Sequence, residues 1–261
     1  MRRPLVAANW KMNGSQEFME DFARSLKNTE LASLEAVEVV VFPPAVYMAA
    51  WQAYSGGIAN GSIAFGVQDI GISPSGAHTG EIAAEMISDL GGEWAIVGHS
   101  ERRIDQHESD DLVATKAAAA LRGGLRPIVC VGETLDERNA GHEVAVVERQ
   151  LEAVLDRLEA SELEQGAIAY EPVWAIGTGQ TASPEQAQQM HAFIRDKIAH
   201  VDVKVARALR VLYGGSVKPE NAAELFGQED IDGGLVGGAA LDAQQFVEIV
   251  KAAHQQMSAR D

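Results

Sequence analysis

The stretch GAIAYEPVWAIGTGQTASPEQAQQMHAFIRDKIAH spans residues 166–200. Its first part, GAIAYEP (166–172), is short and apolar on both faces, as a strand buried inside a parallel sheet must be. Its last part, SPEQAQQMHAFIRDKIAH (183–200), opens like a helix. Ser183 suits the N-cap, Pro184 the first helical position, and Gln186 a reciprocal cap. Between the two, a lone carboxylate, Glu171, stands at the strand end before Pro172. Val173, Trp174 and a run of small residues follow. A buried strand followed by an amphipathic helix is one unit of a parallel sheet, and the rest of the chain repeats the unit.

Further strands are expected at 4–10, 37–43, 62–68, 93–99, 126–132, 209–215 and 232–238, and further helices at 15–28, 44–55, 81–92, 109–124, 142–161, 218–227 and 243–257. No composition break, linker or low-complexity tract interrupts the series. Residues 1–261 are therefore expected to form a single α/β domain. Eight units in this length imply a closed (β/α)8 barrel, with a doubly wound open sheet as the alternative. In a barrel the functional site lies at the C-terminal ends of the strands.

The chain carries a net charge of −17 and has a sequence pI near 4.8. Nucleic-acid and anionic-membrane binders need a basic face, so neither class of partner is expected. An anionic substrate would have to be attracted locally. The single cysteine, Cys130, excludes an intrachain disulfide and reads as a buried, inert thiol. The N-terminal apolar run is broken by Asn9 and meets Lys11, which is too short for a signal peptide, and no run is long enough to cross a bilayer. A cytoplasmic location is the expectation.

Residues of distinct chemistry collect at the strand ends. Strand one ends in Asn9-Trp10-Lys11, and strand alternation would point Asn9 and Lys11 the same way. Strand four ends in Gly98-His99-Ser100-Glu101, strand six in Glu171, strand seven in Tyr213-Gly214-Gly215-Ser216 and strand eight in Gly237-Gly238. An amide, a cation, an imidazole and a carboxylate thus share one rim with two glycine turns. A carboxylate there can act as a general base and then an acid. Bare N–H groups at the Gly237-Gly238 turn can receive an anion. The GTGQTA segment also fits a dinucleotide pattern, but Glu171 to Ile176 intervene after the strand and the helix starts only at Ser183, so that reading is disfavoured. His78, His107, His142, His191, His200 and His254 show no metal spacing and read as surface or interface residues. Trp51 and Trp94 read as packing residues, and the run from Glu108 to Asp111 as a helix start that favours negative charge.

The segments NWKMN, VGHSERR, AYEPVWAIGTGQTA, YGGSV and LVGGAAL, in this order and from the first strand to the last, resemble the signature segments of the triosephosphate isomerase family. The resemblance implies the (β/α)8 architecture named after that family, the TIM barrel. It also implies interconversion of dihydroxyacetone phosphate and glyceraldehyde 3-phosphate, in glycolysis and gluconeogenesis, without metal or cofactor. By resemblance Glu171 is the base, neutral His99 the electrophile, and Lys11 and Asn9 hold the substrate oxygens. Gly177, Ser216, Gly237 and Gly238 bind phosphate. Ser100 and Glu101 stand beside Glu171 and Lys11. Residues 172–182 form a closing lid, with Tyr213 and Ser216 as its latch and Glu133 as the partner of Trp174 when it is open. A homodimer follows too, with Thr79 reaching the partner's catalytic lysine and asparagine. The chain departs from the usual pattern at Asp69 (asparagine in the family), His78 (a large aromatic) and Gln180 (often lysine). The rival readings are another phosphate-binding barrel enzyme, which would not need Asn9, Lys11, His99 and Glu171 together, and a non-catalytic binding barrel.

Overall fold

The computed structural model describes residues 2–29, 34, 36–56, 58, 63–176 and 181–260, the side chains of 258–260 excepted. Eight strands close in sequence order: β1 (Leu5–Asn9), β2 (Glu38–Phe42), β3 (Ile63–Val67), β4 (Trp94–Val97), β5 (Arg126–Val131), β6 (Ala167–Tyr170), β7 (Arg210–Tyr213) and β8 (Gly233–Val236). Every pairing is parallel, and β8 returns to pair with β1, Leu5 opposite Gly233. The sheet is therefore a closed barrel and not an open, doubly wound one.

Alternation along each strand divides the core. Leu5, Ala7, Val40, Phe42, Trp94, Ile96, Ile128, Cys130, Ala167, Ala169, Leu212 and Leu235 fill the barrel interior. The intervening residues, such as Val6, Ala8, Val39, Val41, Val129 and Ile168, face the helices. Continuing the inward series by two residues gives Asn9 from β1, Gln68 from β3, Gly98 from β4, Gly132 from β5, Glu171 from β6, Gly214 from β7 and Gly237 from β8. The same step on β2 gives Pro44, so four of the eight top positions are glycine and the others are an amide, a carboxylate or proline. A packed barrel becomes hollow at this one end because its sequence withholds side chains there.

The helices are α1 (Gln16–Lys27), α2 (Met48–Ser55), α3 (Ala84–Asp89), α4 (Ser100–Asp105), α5 (Asp110–Arg122), α6 (Leu135–Asn139), α7 (Glu143–Leu155), α8 (Ala160–Leu163), α9 (Pro184–Val201), α10 (Val203–Ala208), α11 (Pro219–Phe226) and α12 (Ala243–Arg260). Ser183 caps α9 as its sequence promised, accepting from the Gln186 N–H at 3.2 Å while Gln186 Oε1 accepts from the Ser183 N–H at 3.0 Å. The helix expected at 142–161 is instead α7 followed by the separate turn α8. The helix expected at 81–92 is shortened to α3, because Ala83 is extended and the Ile82 carbonyl accepts the Gly71 N–H at 2.8 Å. No helix of the described residues is long and apolar enough to cross a membrane.

Two readings of the sequence need correction here. Of the acidic run, Asp110 and Asp111 lie in the first turn of α5, capped by Ser109. Glu108, however, is buried and accepts from Lys116 Nζ at 2.6 Å and Arg102 Nε at 2.7 Å. Asp69 completes the cluster on Lys116 and Arg102, so two carboxylates balance two cations where asparagine would leave one positive charge over. His191 is not a surface group. It is fully buried, 5.9 Å from the Tyr170 ring centroid, and burial pushes its pKa down to about 3. The unfolded chain takes up a proton near the ordinary value of 6.5 that the native chain refuses until about 3. His191 therefore lowers stability progressively as pH falls through that window. Urea midpoints for wild type and His191→Gln between pH 7 and pH 4 should show a shallower acid-side decline in the variant. Parallel declines would contradict this.

Candidate active site

A cavity of about 350 Å3 opens at the hollow end of the barrel. Asn9, Lys11 and His99 line one side of it, and Ser216, Gly237 and Gly238 line the other. Ile176, from the start of the expected lid, also reaches it. Leu241, the last residue of the LVGGAAL segment, and Gln245, which lies in no motif, also line it.

Lys11 reaches the cavity by a route other than strand alternation. β1 ends at Asn9, Trp10 is fully buried among Phe18, Phe22 and Trp51, and Lys11 has a left-handed backbone with φ 53°. Such a conformation is costly for a residue with a Cβ and has to be held by its surroundings. Two amides supply the hold. Asn9 Oδ1 accepts the Lys11 N–H at 3.0 Å, and Gln68 Nε2 donates to the Lys11 carbonyl at 2.9 Å and to that of Phe42 at 2.9 Å. The ammonium pairs with Glu101 at 2.5 Å. Gly237 leaves room for the stem: a Cβ there would stand 3.3 Å from Lys11 Cε.

His99 is the N-cap of α4, and its Nδ1 accepts the Glu101 N–H at 3.3 Å. A ring nitrogen that accepts carries no proton, so the proton of the ring sits on Nε2. Nε2 lies 3.0 Å from Glu171 Oε1, and the other carboxylate oxygen, Oε2, accepts the Ser100 backbone N–H at 2.8 Å. Glu171 is only 2% exposed. It does not line the cavity that holds Lys11 and His99. It is held against His99 and Ser100 and borders a second cavity instead. Gly214 makes room for it, since a Cβ there would stand 2.8 Å from Glu171 Cγ. Cys130 lies beneath. Its burial, and then the Glu171 carboxylate, push its thiol well above the usual range.

The segment after Glu171 is anchored by another buried acid. Glu133 Oε1 accepts from Trp174 Nε1 at 2.8 Å, Arg138 Nη1 at 2.9 Å and the Tyr170 hydroxyl at 3.0 Å. The Arg138 guanidinium also lies 4.9 Å from the Trp174 ring centroid. Residues 173–175 form a single 3-10 turn. Tyr213 is fully buried, and burial raises its hydroxyl to about 12, with the Ala182 backbone pulling the other way. Gly177 and Gln180 lie outside the described residues. Thr79 does not line this cavity and is exposed. Among the described residues no group of three or more His, Cys, Asp or Glu side chains could hold a metal ion.

The fold and the site define a (β/α)8 protein whose strand-end pocket sets a cation, an amide and an imidazole against a glycine-built rim, with a buried carboxylate beside the imidazole. A family model for triosephosphate isomerase matches residues 4–253. The triosephosphate isomerase of Stenotrophomonas maltophilia is 49% identical over 253 residues, covering 97% of this chain and 99% of its own. That of Alkalilimnicola ehrlichii is 52% identical over 254 residues, with the same coverage, and that of Xanthomonas campestris 47% over 257. The chain belongs to the triosephosphate isomerase family.

Proposed function

We propose that this chain interconverts dihydroxyacetone phosphate and D-glyceraldehyde 3-phosphate by proton transfer through an enediolate. The observation that carries the reading is the 3.0 Å approach of the buried Glu171 carboxylate to the His99 ring, which lines the Lys11 pocket. Glu171 removes the carbon-bound proton and returns it to the neighbouring carbon. His99, a neutral donor in the role known for this family, delivers Nε2–H to the oxygens as charge develops. Lys11 and Asn9 hold those oxygens. The cation also supplies the local attraction that a chain of −17 lacks. Ser216, Gly177, Gly237 and Gly238 receive the phosphate.

Glu171 has to leave His99 and Ser100 to reach the substrate, and closure of the 172–182 lid would move it. Trp174 would then give up Glu133, while Tyr213 and Ser216 would hold the closed lid. Closure also excludes water, which limits loss of phosphate from the enediolate. A coupled assay with dihydroxyacetone phosphate tests the reading. Robust turnover without added metal or cofactor is expected, and a folded chain with no turnover would refute it.

The same reading carries a cytoplasmic homodimer. Residues 74–81 are exposed, and so are Met12 (97%) and Val46 (82%). They flank a cavity of about 300 Å3 lined by Met12, Pro44, Ala45, Gln68, Glu81 and Arg102. Exposed apolar groups around a hollow beside a projecting loop suit a twofold pairing, in which each loop enters the other's cavity. Thr79 would then pack beside the partner's catalytic lysine and asparagine. Shortening Gly71–Gly76 should give a folded monomer with most activity lost, read by sedimentation and turnover. A full-length chain that sediments as a monomer at micromolar concentration while fully active would overturn the pairing.

A further inference from the structure

Behind β5 stands a side chain that this chemistry does not use. Gln150, in the middle of α7, is buried, and its carboxamide faces the peptide of Gly132. Oε1 accepts the Gly132 N–H at 2.7 Å, and Nε2 donates to the Gly132 carbonyl at 3.1 Å. One side chain therefore satisfies both backbone groups of a residue just past the end of its strand. A carboxamide accepts and donates in this way from one fixed position without having to take up a proton.

Gly132 lies between the two backbone contacts that fix the base. The Glu171 N–H donates to the Val131 carbonyl at 2.7 Å, and the Val173 N–H donates to the Glu133 carbonyl at 3.1 Å. A Cβ on residue 132 would stand 1.7 Å from the Glu171 carbonyl oxygen, so the two backbones are already in the closest packing that glycine permits. Any displacement of Gly132 is passed to Glu171. On the other side a cavity of about 530 Å3, lined by Gln150, Gly132, Glu171, Val173, Arg103 and Ile104, leaves open space. Hydrogen bonding by the carboxamide, more than packing, holds Gly132 from that side.

We propose that Gln150 is a positioning residue for proton transfer: through Gly132 it holds the backbone of Glu171 and the first lid hinge in register. The inference rests on Glu171 being the base. The experiment compares wild type, Gln150→Leu and Gln150→Glu as full-length chains. The readouts are kcat, KM, melting temperature and the isotope effect with dihydroxyacetone phosphate deuterated at the carbon that loses its proton. Gln150→Leu should lower kcat about tenfold or more, because small misplacement of a reacting group is costly. KM should stay within about threefold, and the isotope effect should grow as proton transfer becomes limiting. Gln150→Glu keeps the bond from the Gly132 N–H and should fall between the two. A kcat within about twofold of wild type in Gln150→Leu, whatever its melting temperature, would overturn the proposal. So would an unchanged isotope effect, or failure of both variants to fold, since the side chain would then serve stability alone. A wild-type chain without turnover would instead remove the role of Glu171, and this inference with it.

Discussion

Glu171→Asp should lower kcat by about 10²- to 10³-fold while the fold and KM change little. The substitution keeps a carboxylate on the same strand end but withdraws it by one methylene. Proton transfer requires hydrogen-bond reach, and Glu171 begins outside the lining of the pocket. The shortened side chain would be asked to cover a distance that lid closure has set for glutamate. Substrate binding is expected to survive, because Lys11, Asn9 and the β8 glycines are untouched. The check is steady-state kinetics with a melting curve on the same preparation. Turnover within a few-fold of wild type would take Glu171 out of the base role.

His99→Asn should also lower kcat by about 10²- to 10³-fold, with near-normal KM, since the lost donor matters most as charge develops on oxygen. Asparagine is the informative replacement. His99 caps α4 by accepting the Glu101 N–H, and asparagine is itself a good N-cap. Loss of the ring is thereby separated from loss of the helix end. Lys11→Met should fail differently, with weakened binding of substrate and of anionic inhibitors. Its partner Glu101 is half exposed, so leaving it unpaired should affect stability little. Identical kinetic profiles for the two variants would contradict this division of roles.

The architecture was legible in the sequence because buried parallel strands are apolar on both faces and end in glycine or a polar residue. Each expected strand contains an observed one, and the rim residues are where those strands stop. What the sequence hid depends on contacts between distant segments. Asn9 and Lys11 share the cavity, but through the left-handed backbone of Lys11 and the hydrogen bonds that hold it. Gln68 and Gln150 sit in no motif, and each acts by bonding backbone from another part of the chain. The break between α7 and α8 was missed because the apolar spacing runs on: Leu158 is buried, while Glu159 starts a new turn by capping α8. α10 was missed because its six residues are too few for a period, and Asp202 caps it by accepting from Lys204 and Val205. His191 was misread because a histidine on an amphipathic helix resembles a surface residue until the strands beneath are in place. The lid tip, with Gly177 and Gln180, lies outside the described residues, and its reading remains that of the family resemblance.

The central claim is that Glu171 moves a proton between adjacent carbons through an enediolate, and solvent isotope incorporation tests it most directly. Dihydroxyacetone phosphate would be turned over by the chain in D2O, with the product trapped and examined by NMR. The account predicts glyceraldehyde 3-phosphate carrying deuterium at C2, formed far more slowly by Glu171→Asp. Product formed as fast by Glu171→Asp as by wild type, whether or not deuterium has entered C2, would contradict it.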